Sequence, residues 1–150
     1  MYLRPATMED SDNLLAWRND EITMLNSRQD KPIPPKRHAV WMSINVKFGY
    51  PSRIVLIAEL DNGTPVGVVD FSAADPFMEI YEVGITIAPN MRGRGYGFAA
   101  LALGCQRMKK KVLKAEIKRT NIASRRIFEK CEFDVIKRDQ GFIFFRKDPK

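Results

Sequence analysis

Val83-Gly84-Ile85-Thr86-Ile87-Ala88-Pro89-Asn90-Met91-Arg92-Gly93-Arg94-Gly95-Tyr96-Gly97 carries the change of period on which the fold turns. Its first six residues are apolar and largely β-branched, and they read as a strand that Pro89 ends. The glycines that follow let the backbone turn tightly and approach a ligand without a Cβ in the way. A long helix is then predicted from Gly95 to Val112. Its first turn offers unpaired N–H donors and a partial positive charge. Strand, glycine loop and helix N-terminus together predict an anion site. Arg92 and Arg94 add fixed charge suited to phosphate oxygens. No Gly-Lys-Ser/Thr follows, so the loop is not a P-loop, and its Gly-x-Gly-x-Gly spacing is not the Gly-x-Gly-x-x-Gly of a dinucleotide fold. Without its surroundings the segment reads equally well as a strand-to-helix turn that needs glycine.

On the N-terminal side, Glu79 to Ala88 is the full extent of that strand. Ile54 to Leu60 is β-rich and stops at Asp61-Asn62-Gly63, a hairpin turn signal, with Pro65 to Phe71 returning. Tyr2 to Pro5 reads as a first strand, and Thr7 with Asp10 can cap a helix that carries Leu14, Leu15 and Trp17-Arg18-Asn19-Asp20. Lys31 to Pro35 is too rich in proline for a helix. Val40, Trp41, Ile44 and Phe48 then recur at helical spacing. On the C-terminal side come a strand from Leu113 to Arg119, a short helix from Ser124 to Lys130, and a hairpin of Phe133–Arg138 with Phe142–Arg146. The order β-α-α-β-β-β-α-β-α-β-β predicts an α+β fold in one domain, with a mixed, largely antiparallel central sheet flanked by helices.

The 150 residues suit a single core, and no apolar run is long enough to span a bilayer. Cys105 and Cys131 lack metal-ligand spacing, and the one histidine cannot complete a zinc site with them, so no metal is expected. No apolar leader follows Met1, and a cytoplasmic location with reduced thiols is the expectation. The net charge of +7 is uneven: residues 1–90 balance at −4 and residues 91–150 at +11. The basic half attracts polyanions, among them nucleic acid and phosphorylated cofactors. A non-enzymatic nucleic-acid binder is the remote reading, with no recognised motif or paired strand aromatics to support it.

The segment Arg92-Gly93-Arg94-Gly95-Tyr96-Gly97 fits the Gln/Arg-x-x-Gly-x-Gly/Ala signature of the GCN5-related N-acetyltransferases (GNAT), and the chain resembles that family. Ile85 to Pro89 is similar to the family's strand and proline, and Asn121 to Ser124 with Ile127 to Lys130 and Phe133 to its second cofactor segment. The resemblance implies acetyl-CoA as co-substrate. The backbone of Ile85, Thr86 and Ile87 would pair with the pantetheine arm, and a backbone N–H of this strand would face the acetyl oxygen. The amides from Gly93 to Phe98 would hold the pyrophosphate, and Asn121 would contact pantetheine or position the reacting centre. Many relatives carry Tyr where this chain has Phe128, and that Tyr protonates the leaving thiolate. Tyr81 and Tyr96 are the nearby alternatives. A second departure is Glu132, where relatives usually have Gly before the Phe, so the turn after the helix is expected to differ.

Amine acetylation needs a group that takes a proton. Glu116 is the first candidate, because relatives that acetylate ribosomal-protein N-termini use a glutamate there, and Glu82 is the second. Glu79 is expected to pair with a nearby cation. On the acceptor side, Met8-Glu9-Asp10, Trp17-Arg18-Asn19-Asp20 and His38-x-x-Trp41 resemble the branch acting on UDP-linked 4-amino-4,6-dideoxy sugars. That resemblance implies a nucleotide-sugar acceptor met by Arg18, His38 and Trp41, with His38 also an alternative base near neutral pH. The competing acceptors are a ribosomal-protein N-terminus and a polyamine or antibiotic amine. The sequence leaves a homodimer open.

Overall fold

The computed structural model describes residues 1–28 and 31–150. The strands are β1 (Tyr2–Pro5), β2 (Arg53–Glu59), β3 (Pro65–Ala73), β4 (Ile80–Ile87), β5 (Val112–Lys118), β6 (Asp134–Arg138) and β7 (Phe142–Lys147). They form one sheet in the order β1-β2-β3-β4-β5-β7-β6. Only β4 and β5 run parallel; every other neighbouring pair is antiparallel. This is the mixed, largely antiparallel α+β sheet that the periodicity predicts.

The run Val55-Leu56-Ile57-Ala58 is buried throughout, because both faces of the sheet are covered. Helices α1 (Ser11–Arg18) and α3 (Pro35–Met42) cover one face, where Leu14, Trp17 and Met42 meet Ile57. Between them in sequence lies the short α2 (Glu21–Leu25). Helices α4 (Tyr96–Arg107) and α5 (Ile122–Lys130) cover the other face, where Leu101 and Phe128 meet Leu56, Val69, Phe71 and Phe145. Among the described residues, no helix is long and apolar enough to cross a membrane.

Several boundaries differ from expectation for local reasons. The first helix stops at Arg18, because Asp20 turns outward and its carboxylate accepts from the Thr23 N–H, 3.1 Å away, to start α2. Pro35 is not loop but the first residue of α3, where its missing N–H is no loss. Helix α4 is shorter at both ends than Gly95–Val112. Gly95 lies at φ 82°, outside helical space, and the Val112 N–H is already claimed by the Glu79 carbonyl at 3.0 Å. Glu79 itself pairs with Lys111, as anticipated, at 3.3 Å.

The turn after α5 keeps the geometry that glycine usually supplies. Glu132 adopts φ 65°, and the Phe133 N–H reaches back to the Phe128 carbonyl at 3.1 Å, closing a Schellman turn. The expected departure at Glu132 is therefore one of residue type and not of shape. Its exposed carboxylate lies 3.1 Å from the Lys150 ammonium.

Candidate active site

β4 and β5 are paired only at Ile80–Val112, Tyr81–Leu113 and Glu82–Lys114. Beyond Glu82, β4 keeps β3 as its partner and β5 keeps β7, so the two parallel strands part. The backbone of Val83 to Ile87 is left open towards the gap. A cleft of about 780 Å³ occupies it and runs on to the loop at the start of α4.

The loop is built for an approaching anion. Gly93 and Gly95 lie at φ 75° and 82°, and a Cβ on either would meet no atom within 4 Å. The space on the side-chain side of both glycines is thus open, and the α4 N-terminus adds its positive end. Ile85, Thr86, Ile87, Arg92, Gly93, Gly95, Tyr96, Gly97, Phe98 and Asn121 all line the cleft. Arg94 does not; it is exposed on the outer side of the loop. The Arg92 guanidinium turns to Asp20 at 2.7 Å and to the Thr23 hydroxyl at 3.0 Å. Asn121 caps α5, its side-chain oxygen accepting from the Ser124 N–H at 3.3 Å.

The two candidate carboxylates share the cleft but differ in state. One oxygen of Glu116 accepts from Arg28 Nη2 at 2.6 Å and Arg28 Nε at 3.0 Å. Glu82 has no ion pair or side-chain hydrogen bond among the described residues. Its carboxyl is pushed above the usual range, first by desolvation within the protein walls and then by the negative charges of Glu116 and Asp70. Partial removal from water with like charges nearby is the environment of a proton acceptor. Phe128 lines the inner wall, fully buried, and brings no acidic hydrogen. Tyr81 is removed from the cleft, with its hydroxyl on the Pro51 carbonyl at 2.9 Å, whereas Tyr96 lines it.

The model of the acetyltransferase (GNAT) domain matches residues 1–134. The chain belongs to the GNAT acetyltransferase family. Solved GNAT-fold structures overlay it almost end to end. A ribosomal-protein-alanine N-acetyltransferase from Brucella melitensis is 25% identical with a TM-score of 0.80, covering 99% of each chain. Spermidine N-acetyltransferase from Vibrio cholerae, solved with CoA and spermine, is 14% identical with a TM-score of 0.85, covering 97% of this chain and 93% of that one. Salmonella typhimurium yncA, solved with its cofactor acetyl-CoA, is 21% identical with a TM-score of 0.78, covering 100% and 94%. No curated protein sequence matches the chain.

In this GNAT acetyltransferase, Arg18, His38 and Trp41 stand together but do not line the cleft. His38 is buried, its ring stacked on Trp41 with centroids 5.8 Å apart. Its Nε2–H donates to the Ser11 carbonyl at 2.9 Å, and Nδ1 accepts from Arg18 Nη1 at 3.0 Å. Both nitrogens are engaged, so the expectation of His38 as an alternative base is corrected: it is neutral and has no site for a substrate proton. Burial, and to a lesser degree Arg18, pulls its pKa below the usual 6.5.

This has a measurable sign. A histidine whose folded pKa is lowered contributes stability that is present above about 6.5 and is lost as the pH falls through that value towards the folded one. His38→Gln should therefore flatten the acid side of the stability curve as the pH falls below about 6.5, read by urea unfolding at a series of pH values. An unchanged slope would place the acid sensitivity elsewhere.

Sequence reasoning missed Arg28, Arg53, Asp70 and Ser72, which line the cleft together with Glu82 and Glu116. The signal was present in Asp70, a charge inside the apolar run Val66-Gly67-Val68-Val69-Asp70-Phe71. Among the described residues, no group of three or more His, Cys, Asp or Glu side chains is placed to hold a metal ion.

Proposed function

We propose that the chain transfers acetyl from acetyl-CoA to a primary amine of a small molecule, as one cytoplasmic domain, with Glu82 as the general base. The observation that carries this reading is the continuity of one cleft from the open turn at Gly93 and Gly95, through the gap between β4 and β5, to the unpaired Glu82. Glycine amides and the α4 N-terminus suit the pyrophosphate, and the free edge of β4 suits the amide-bearing pantetheine arm. The neutral amine attacks the thioester carbonyl carbon. Glu82 takes the amine proton as the new C–N bond forms. A β4 N–H offers the developing oxyanion a donor, and the C–S bond then breaks to release coenzyme A. The proton returned to the thiolate comes from water or from Tyr96, which lines the cleft.

Glu82 takes precedence over Glu116 here because the Glu116 carboxylate is already engaged by Arg28, whereas Glu82 has no partner among the described residues. Among acceptors, a UDP-linked 4-amino sugar remains the first choice, supported by Arg18 and Trp41 lying directly behind the acceptor end. The test is calorimetric titration with acetyl-CoA, followed by a panel of UDP-amino sugars, peptide N-termini and polyamines, with product read by mass spectrometry. Micromolar binding and an acetylated amine are expected. Absence of heat with acetyl-CoA overturns the reading.

A further inference from the structure

Arg53 opens β2, and the register sets it opposite Ser72 on β3, which in turn faces Glu82 on β4. Directly opposed residues place their side chains on one face, so the three form a row across the cleft's acceptor end. Two strand spacings make this row roughly 10 Å long.

Arg53 has more donors than its neighbours satisfy. One amino group meets Asp70, and the other reaches the Ser72 hydroxyl at 3.3 Å. Its Nε is buried and bonds to nothing among the described residues. Behind it, the Arg53 guanidinium lies 5.6 Å from the centre of the Trp41 ring, and Arg18 lies 4.4 Å from the same ring. Arg18 has no carboxylate within ion-pair distance among the described residues; its hydrogen bond goes to neutral His38. Two guanidinium groups therefore share one indole, with Asp70 as the ion-pair partner of Arg53 and Glu82 further along the row. Desolvation and the neighbouring charges of Arg53 and Arg37 all bear on Arg18, and only Asp70 opposes them. Partly buried positive charge in excess of its partners is costly without an anion.

We infer that the acceptor is an anionic amine, whose carboxylate or phosphate seats on Arg53, with Arg18 reinforcing the field through Trp41, while its amine nitrogen points to Glu82. This rests on the acetyl-transfer reading and narrows its acceptor class. The row of residues also sets a scale: amine and anion lie within roughly 10 Å of each other. A guanidinium suits either anion, since its fork matches both carboxylate and phosphate.

The experiment measures thiol release from acetyl-CoA with acceptor pairs that keep the amine and remove the anion. Alanine against alaninamide tests the carboxylate. Glucosamine 6-phosphate against glucosamine, and a UDP-amino sugar against the free amino sugar, test the phosphate. In at least one pair the anionic member should have a kcat/KM about tenfold or more above its counterpart. In Arg53→Gln that ratio should fall towards one, and in Arg53→Lys part of it should return. Arg18→Gln, read by the same ratio, serves if Arg53→Gln does not fold. Acetyl-CoA binding with spermidine or another purely cationic amine as the best acceptor overturns this inference alone. Neither heat with acetyl-CoA nor thiol release with any amine overturns the acetyl-transfer reading with it.

Discussion

Glu82→Gln is expected to lower kcat at neutral pH by about 10²- to 10⁴-fold, the range that a positioned general base supplies. Acetyl-CoA affinity should stay within about twofold, because the interaction lost is made only as the amine gives up its proton. The pH profile carries the more specific signature. Glu82 sits above the usual carboxyl range through desolvation and through Glu116 and Asp70. Its basic form therefore appears only as the pH rises through that raised value, and kcat/KM should climb over the same window. In Glu82→Gln this limb should vanish. Stability should move in the opposite sense. A carboxyl with a raised folded pKa takes up protons on folding, so its contribution declines as the pH rises from the ordinary value to the raised one. Removing it should leave the unfolding midpoint at pH 7 unchanged or higher. Glu116→Gln, which removes the partner of Arg28 and leaves Glu82 in place, should cost much less activity. Equal losses for the two variants, or a surviving pH limb in Glu82→Gln, would return the base to Glu116.

The second large effect is expected at Gly95. Its φ of 82° is a conformation that costs an L-residue about 1–2 kcal/mol, and a β-branched one more. A Cβ at Gly95 meets no protein atom within 4 Å, so the penalty of Gly95→Val lies chiefly in the backbone and in the space a ligand would use. The loop must rotate, and its amides lose their common aim. Acetyl-CoA should bind about 10- to 100-fold more weakly by calorimetry, with thermal stability only modestly reduced. Gly63→Val is the matched control. Gly63 has φ 89° in the turn between β2 and β3, where a Cβ would meet only a Glu59 carboxylate oxygen at 4.0 Å, and it is absent from the cleft lining. It should lose stability and keep its affinity. Normal acetyl-CoA binding by Gly95→Val would remove this loop from the pyrophosphate.

Strand identity and order of elements were legible because each strand writes its own period. The Ile54–Leu60 run and the Asp61-Asn62-Gly63 turn fix a hairpin without reference to the rest of the chain. The loop was legible for the same reason: strand, glycines and helix are contiguous, and all the residues singled out there except Arg94 line one cleft. Arg53, Ser72 and Glu82 were not legible as a set, because only register brings them side by side and register is a property of paired strands. His38 was misread for a related reason. One histidine among charges looks reactive in sequence, and its two partners, Ser11 and Arg18, come from a different helix. At Glu132 the sequence names an unusual residue, and only the backbone shows that the glycine-like turn persists with a side chain on it.

Arg92 leads to a consequence for the order of events. Its guanidinium spans from the phosphate loop to Asp20, and Asp20 is the residue that starts α2. Ile22 and Thr23 of that helix, with Asn26 after it, form the opposite wall of the cleft. Any anion that draws on Arg92 competes with Asp20 for one cation, and so acts on the residue that starts α2. Linkage of this kind is reciprocal: whatever factor the bound nucleotide changes in acceptor affinity, the acceptor changes in nucleotide affinity. If the cofactor's phosphates draw Arg92 from Asp20, acceptor affinity and cofactor affinity must change by the same factor.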